Sequence, residues 1–196
     1  MSKQQVQSSN PKKLNKPKII IALFVAIIAL TYLSTRTVTG IYVGGVKQFE
    51  PTEMPSYVFA DEALRDIDIA SFQGEVVILH FWATWCTPCV AELPLLSRLV
   101  DKYQNRKLRV LTVATDRNIR VNDVIFFLKR LGVSNLPSYI DRYRTAFDVM
   151  NSRAVPQSII IDGNGKMVAQ IRGMFDWEKP SIGRLLDYHL DNLDSR

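Results

Sequence analysis

The sequence contains little cysteine and little histidine, with two residues of each type among 196. Two cysteines are too few for a small scaffold held together by several disulfides. A structural zinc site needs four ligands, and Cys86, Cys89, His80 and His189 are the whole supply of Cys and His, so we predict no metal site. Three alternatives remain for the two cysteines: a single structural disulfide, a redox pair or two free thiols.

Acidic residues are absent before Glu50, and this absence accounts for the net charge of +6. Residues 1–47 carry seven Lys or Arg and no acid, giving +7, whereas residues 48–196 carry the other 18 basic residues and all 19 acidic ones, giving −1. A nucleic-acid-binding domain needs a basic face on its folded part. The nearly neutral composition of residues 48–196 argues against that class, and we predict no nucleic-acid partner.

The N-terminal segment has the features of a membrane anchor. Residues 19–35 contain no charged side chain, and a helix of that length spans about 25 Å, near the lower limit for crossing a bilayer. Lysines precede the segment and Arg36 follows it, so the positive-inside rule places the N-terminus in the cytoplasm. We predict a cytoplasmic tail over 1–18, a single-pass inner-membrane signal anchor over 19–35, a linker over 36–54 and a periplasmic domain over 55–196.

A cleaved signal peptide is the alternative interpretation of this segment. The uninterrupted apolar run covers only Ile19 to Leu30, and signal peptides have apolar regions of about 7–15 residues. No A-x-A cleavage site follows the run, which favours the retained anchor. Both interpretations place the folded domain outside the cytoplasmic membrane.

The hydrophobic pattern of the exported part predicts alternating strands and helices. Short apolar runs rich in β-branched residues are typical of buried strands and occur at 76–82, 108–114, 157–162 and 167–171. Apolar residues at helical spacing predict helices at 89–103, 121–131, 143–150 and 182–193. The resulting order, β-α-β-α-(α)-β-β-α, indicates an α/β fold with a mixed sheet.

The chemistry is expected at Trp85-Cys86-Thr87-Pro88-Cys89, where the first strand ends and the first helix begins. A cysteine at a helix N-terminus lies beside unpaired backbone N–H groups and the positive end of the helix dipole, which stabilise its thiolate. Cys89 lies one turn further along, on the apolar stripe. We therefore predict a redox pair in which Cys86 is the nucleophile and Cys89 is the buried resolving thiol.

The segment from His80 to Pro94, HFWATWCTPCVAELP, resembles the membrane-anchored, thioredoxin-like TlpA/ResA group of thiol–disulfide oxidoreductases. The similarity extends over roughly residues 55–193 and includes Phe72-Gln-Gly74, Val155-Pro156 and the Gly-Asn-Gly turn. It implies a thioredoxin-like fold, a central mixed β-sheet flanked by helices, with no bound cofactor. It also implies exported client proteins with a disulfide or thiol pair, as in cytochrome c or copper-centre maturation, and a membrane thiol carrier as electron donor.

The resemblance also assigns a substrate groove. Pro156 matches the cis-proline that faces the cysteine pair in this group. With Val155 it would offer backbone groups to an extended client chain, as in the addition of a strand to a sheet. Trp85 and Pro88 complete the predicted groove.

Two further residues are candidates for proton transfer. Glu92 matches the glutamate of the group's W-C-x-P-C-x-x-E-x-P pattern and is the predicted proton shuttle to Cys89; a solvated helix glutamate is the alternative. His80 departs from the group, in which Asn is common at this place. It is either a base that acts near neutral pH or an inert buried imidazole.

Other functions of the same cysteine pair stay open at this point. A disulfide oxidant of the same fold would use the same residues to take electrons from its client. An isomerase would use them to rearrange the client's disulfides. A copper(I) or haem delivery module would use the two thiolates as ligands, since soft thiolates prefer Cu(I). The sequence has no Met-rich segment or additional histidines to support the second alternative, so a disulfide reductant is the favoured prediction.

Overall fold

The computed structural model describes residues 41–43 and 45–194, together with residue 25. Apart from residue 25, the predicted cytoplasmic tail, 1–18, and signal anchor, 19–35, lie outside this part of the chain. Within the described part, no helix combines the length and the apolar character needed to cross a bilayer.

The described residues form nine strands and four α-helices. The strands are β1 (Ile41–Val43), β2 (Val46–Glu53), β3 (Val58–Ala60), β4 (Asp66–Asp68), β5 (Val76–Trp82), β6 (Leu108–Ala114), β7 (Tyr139–Ile140), β8 (Gln157–Ile161) and β9 (Lys166–Arg172). The helices are α1 (Thr87–Lys102), α2 (Val121–Arg130), α3 (Ala146–Met150) and α4 (Pro180–Asp194), and a 3-10 helix covers Ile69–Phe72. From β5 onward the predicted order is confirmed, with β7 added before α3.

The strands belong to one mixed sheet in the order β1-β2-β9-β8-β5-β6-β7-β3-β4. The central strand β5 pairs in parallel with β6 and antiparallel with β8. Every residue of β5 is buried, which confirms the predicted strand covered on both faces. The register places His80 directly opposite Ser158 of β8 and Thr112 of β6.

Side chains of β5 enter two hydrophobic cores on opposite faces of the sheet, as the two-residue period of a strand requires. The even-numbered positions, such as Ile78 and Trp82, pack with α1, α2 and α4. The odd-numbered positions, such as Val77 and Phe81, pack with α3 and the 3-10 helix. By this alternation His80 shares the face on which α1 lies.

Helix α1 carries the predicted apolar stripe into the first of these cores. Cys89, Leu93 and Leu96 are fully buried. Pro88 occupies the first turn, where a missing N–H costs no helical hydrogen bond. Pro94 lies inside the helix. The burial of this stripe fixes which face of α1 points inward, and Glu92 is part of that face.

The predicted linker over 36–54 is wrong for residues 41–43 and 46–53, which form β1 and β2. β2 pairs antiparallel with β9, with Lys47 opposite Gln170 and Glu53 opposite Lys166. Most of β2 is half-buried or exposed, because backbone pairing at the border of the sheet needs no alternation of apolar side chains. The folded domain therefore begins before residue 55.

Smaller differences concern short elements. The helix predicted at 143–150 is confirmed only over Ala146–Met150. The carboxylate of Asp141 accepts hydrogen bonds from the backbone N–H groups of Thr145 and Ala146, and so satisfies donors that open the helix. β3, β4 and β7 have no predicted counterpart, since two or three residues are too few to show a period.

Candidate active site

Cys86 and Cys89 form a disulfide with an S–S distance of 2.04 Å at the N-terminus of α1. Cys86 is the N-cap residue, and the backbone N–H of Cys89 donates to its Sγ over 3.3 Å. Cys86 keeps 5% of its surface exposed, whereas Cys89 is fully buried. Cys86 is thus the member of the pair that a client can reach, which favours its predicted role as nucleophile.

The loop before β8 faces Cys86. The Val155–Pro156 peptide bond is cis, and the carbonyl oxygen of Val155 lies 3.6 Å from Cys86 Sγ. A disulfide sulfur carries no hydrogen, so this distance is a contact, and the thiol formed on reduction is the species that can donate to the carbonyl. The predicted residues Val155 and Pro156 are therefore brought to the cysteine pair.

Trp85 and Pro88 lie at the surface beside Cys86. Trp85 is 70% exposed, and Pro88 is exposed as well. The turn before Trp85 is fixed by Asp116, whose carboxylate accepts hydrogen bonds from both the backbone N–H and the hydroxyl of Thr84. An indole held in solvent next to a reactive sulfur offers a flat, mostly apolar contact surface.

Glu92 is buried on α1, three residues after Cys89, with 1% of its surface exposed. Its Oε1 accepts a hydrogen bond from the backbone N–H of Phe175 at 2.8 Å, and its Oε2 accepts one from the indole N–H of Trp177 at 2.9 Å. Burial raises the pKa of Glu92 to about 7, and the two hydrogen bonds oppose this rise. The alternative of a solvated helix glutamate is wrong.

His80 is fully buried on β5. Its Nδ1 lies 2.8 Å from the hydroxyl oxygen of Ser158 and 4.0 Å from Glu92 Oε2. Its ring meets the Trp177 ring edge-on, with 6.3 Å between the centroids. Burial lowers the pKa of His80 to about 3, so the imidazole is neutral near pH 7. This state favours the buried-imidazole interpretation over a base that titrates near neutrality.

Three residues that contact the site were not predicted from the sequence: Phe175, Trp177 and Ser158. Phe175 and Trp177 lie in the segment between β9 and α4, and Trp177 reaches Glu92 across 85 positions of sequence. Nothing periodic in the sequence marks this segment. Ser158 could have been found once β5 and β8 were paired in register, because a residue directly opposite His80 shares its face of the sheet.

The described residues hold no group of three or more His, Cys, Asp and Glu side chains arranged to bind a metal ion. His80 has Ser158 and Glu92 as its polar neighbours, and both cysteine sulfurs are engaged with each other. What the site can do chemically in this arrangement is thiol–disulfide exchange at Cys86, and the buried carboxyl group of Glu92 lies three residues after Cys89 on the same helix.

The sequence matches one family model and is similar to proteins named as thiol-disulfide oxidoreductases. The model of the AhpC/TSA family matches residues 51–170. The thiol-disulfide oxidoreductase ResA of Bacillus anthracis is 31% identical over 122 residues, which cover 62% of this chain and 68% of the relative. The ResA protein of Bacillus subtilis strain 168 is 24% identical over 159 residues, which cover 81% of this chain and 87% of the relative.

Solved structures share the fold. A putative thiol-disulfide oxidoreductase from Bacteroides vulgatus has a TM-score of 0.62 and 24% identity, covering 72% of this chain and 97% of that one. A putative thioredoxin from Neisseria meningitidis has a TM-score of 0.61 and 21% identity, covering 75% and 95%. At these identities the likeness establishes the fold, which is a thioredoxin-like α/β arrangement with a mixed sheet.

Proposed function

The chain belongs to the AhpC/TSA family and is a thioredoxin-like thiol–disulfide oxidoreductase of the ResA type, and on this premise we propose that it reduces disulfides of exported client proteins. The observation that carries the proposal is the placement of Cys86. It is the accessible half of a cysteine pair at a helix N-terminus, and it lies 3.6 Å from the Val155 carbonyl oxygen at which a client backbone can pair.

In the first step the thiolate of Cys86 attacks one sulfur of the client disulfide. A bond forms between Cys86 Sγ and that sulfur, the client S–S bond breaks, and the second client sulfur leaves as a thiolate that takes up a proton. The backbone N–H of Cys89, 3.3 Å from Cys86 Sγ, and the positive end of the α1 dipole stabilise the attacking thiolate.

In the second step Cys89 resolves the mixed disulfide. The carboxylate of Glu92 takes the proton of the Cys89 thiol, and the Cys89 thiolate attacks Cys86 Sγ. The bond to the client breaks, its remaining sulfur leaves as a thiolate that is protonated, and the Cys86–Cys89 disulfide forms. Two electrons pass from the dithiol to the client. A carboxyl group with a pKa of about 7 is present in both protonation states near neutral pH, which suits this role.

The proposed setting is the outer face of the cytoplasmic membrane, with 1–18 in the cytoplasm and 19–35 as the anchor. Support comes from the absence of acidic residues before Glu50 and from the uncharged run at 19–35. The oxidised pair must be reduced again after each turnover, and we assign this to a membrane thiol carrier. Clients in cytochrome c or copper-centre maturation follow from the resemblance of the HFWATWCTPCVAELP segment to the TlpA/ResA group.

Trapping of clients tests the proposal most directly. The Cys89→Ala variant, expressed as the full chain in its own envelope, should accumulate mixed disulfides through Cys86 that a reductant dissolves. If the captured proteins contain a disulfide before they react with Cys86, the chain acts on them as a reductant. Reductase activity that survives the Cys86→Ser substitution would contradict the mechanism.

The reduction potential of the pair decides the direction independently. A reductant should have a potential well below the value of about −120 mV that is typical of a strong periplasmic oxidant. Equilibration of the full chain against a dithiothreitol or glutathione series gives this value. A potential near that of the oxidant would show that the chain oxidises its clients.

A further inference from the structure

A groove opens beside Trp85 at the surface of the domain. It has a volume of about 420 Å³ and is lined by Trp85, Thr115, Asp116, Arg117, Phe147 and Arg153. The proposed exchange reaction gives no role to Arg117, Phe147 or Arg153. We refer to these six residues as the Trp85 groove.

The Trp85 groove adjoins the reacting sulfur on two sides. Trp85 precedes Cys86 in the chain, and Arg153 lies two residues before Val155, whose carbonyl oxygen is 3.6 Å from Cys86 Sγ. A client chain that places its cysteine at Cys86 and pairs with Val155 therefore has its neighbouring residues next to this groove. An extended chain advances about 3.3 Å per residue, so only the residues that closely flank the client cysteine reach it.

The groove presents two exposed guanidinium groups, those of Arg117 and Arg153. Within the described part of the chain, neither forms an ion pair with a carboxylate. Six of the ten other arginines in the described part do form one. These are Arg65, Arg98, Arg106, Arg109, Arg120 and Arg142.

Asp116, the acidic residue of the Trp85 groove, is already hydrogen-bonded to Thr84. The carboxylate of Asp116 accepts the backbone N–H and the hydroxyl of Thr84, and so holds the turn that leads to Trp85. The groove therefore combines an exposed aromatic ring, two cationic groups without a carboxylate partner and one engaged acid. This combination complements a peptide that carries negative charge.

We propose that the Trp85 groove binds an acidic segment of the client, with Arg117 and Arg153 contacting Asp or Glu side chains that closely flank the client's reacting cysteine. Guanidinium groups bind carboxylates through paired hydrogen bonds, and the Trp85 ring supplies apolar contact to the peptide between them. Complementary charge mainly accelerates encounter and selects partners. The inference rests on the proposed thiol–disulfide exchange and specifies which clients that reaction accepts.

Three disulfide-bridged peptides test the inference, identical except that the residues flanking one cysteine are Glu, Gln or Lys. The reduced full chain is mixed with each peptide at low ionic strength, and the second-order rate of peptide reduction is measured. Each rate is divided by the rate of the same peptide with dithiothreitol, which removes differences in intrinsic reactivity. We expect the Glu peptide to react about tenfold faster than the Lys peptide, and the ratio to shrink towards one in high salt.

Charge reversal locates the effect. Arg117→Glu and Arg153→Glu should each lower the Glu-to-Lys rate ratio, and the double variant should invert it. Arg184→Glu, an exposed arginine on α4, is the matched control and should keep the wild-type ratio. A Glu-to-Lys ratio near one in the wild type, or a ratio that the double variant preserves, would overturn the inference while the proposed function stands. Failure of the wild type to reduce the Gln peptide would overturn the proposed function and the inference with it.

Discussion

The Nδ1 atom of His80 lies 4.0 Å from Oε2 of Glu92 in a site that excludes solvent from both side chains. Burial raises the pKa of Glu92 from its ordinary 4.5 to about 7 and lowers that of His80 from 6.5 to about 3. The order in which the two groups bind a proton is therefore the reverse of their order in water. A proton in this pair resides on the carboxyl group, and the imidazole stays neutral.

Glu92→Gln should change how stability depends on pH. The folded-state pKa of Glu92 lies above its unfolded value, so its stabilising contribution is complete below about pH 4.5 and is lost as the pH rises through about 7. From pH 5 to pH 8 the wild type should lose about 2.5 kcal/mol of unfolding free energy from this group, and Glu92→Gln should lose none of it. Urea unfolding of both oxidised proteins at the two pH values measures the difference.

The matched control for this experiment is Glu50→Gln, which removes an exposed carboxylate from β2. It should keep the wild-type change between pH 5 and pH 8. At pH 5 Glu92→Gln should be less stable than the wild type, because the amide weakens the hydrogen bonds from Phe175 and Trp177. This difference should shrink at pH 8, where the wild type also carries the cost of the buried charge. A change of the same sign and size in Glu92→Gln and in the wild type would contradict the buried carboxyl group.

His80→Asn should protect the domain against acid. The folded-state pKa of His80 lies below its unfolded value, so its contribution is complete above about pH 6.5 and is lost as the pH falls towards 3. The loss from this group approaches about 5 kcal/mol at the acid end. Asparagine can keep the contact with the Ser158 hydroxyl while removing the titration. Thermal unfolding from pH 7 to pH 4 should show a smaller acid-induced decrease in the variant.

Ser158→Ala is the control for His80→Asn. It deletes the hydroxyl partner but leaves the imidazole buried, so the acid-induced decrease should persist. Equal acid sensitivity in His80→Asn and the wild type would show that the imidazole is already charged in the folded protein or is exposed to water.

Trp177→Phe should move the pH dependence of the resolving step upward. The indole N–H donates to Glu92 Oε2 at 2.9 Å and stabilises the carboxylate, so its removal raises the pKa of Glu92. A hydrogen bond to a charged group contributes about 1.5–3 kcal/mol, which corresponds to a shift of about one to two pH units. The shift is measured from the rate at which the Cys86 mixed disulfide decays in a single turnover, recorded between pH 5 and pH 9.

Phe175→Leu is the matched control for Trp177→Phe. The hydrogen bond from Phe175 to Glu92 comes from the backbone N–H, so replacing the ring keeps the donor. Its pH profile should coincide with that of the wild type. Coincident profiles for Trp177→Phe and the wild type would mean that Glu92 does not control the step.

Thr84→Val should destabilise the turn before the active site. The substitution removes the hydroxyl donor to the Asp116 carboxylate and keeps the backbone donor, and the cost should be about 1–2 kcal/mol of unfolding free energy. Thr145→Val is the comparison, since the side chain of Thr145 makes no capping hydrogen bond to α3, and its effect should stay within about 0.5 kcal/mol. Equal effects of the two substitutions in urea unfolding would contradict the role of Asp116.

The sequence predicts the centre of the fold better than its border. The strand Val76–Trp82 and the helix after Cys86 have strong signals, because a strand buried on both faces and an amphipathic helix each impose a pattern on neighbouring residues. β2 has no such pattern, since it contains Pro51 and mostly half-buried or exposed positions. Its place depends on pairing with β9, more than 100 residues later.

The same distinction applies to the site. Cys86, Cys89 and Pro88 form a local motif whose chemistry follows from the helix N-terminus alone. The environment of Glu92 does not follow from α1, because its partners Phe175 and Trp177 come from a segment over 80 positions away. The neutral state of His80 likewise depends on burial between strands and helices that only the assembled fold provides.

The pairing of β2 with β9 affects how shortened forms of the chain will behave. A fragment that starts at residue 55 lacks both β1 and β2, and so leaves the outer backbone groups of β9 without partners. An open strand of seven residues is a template for a second copy to add to, and such a fragment should self-associate even though its cysteine pair is complete. A fragment that starts at residue 41 retains the two strands that close this side of the sheet.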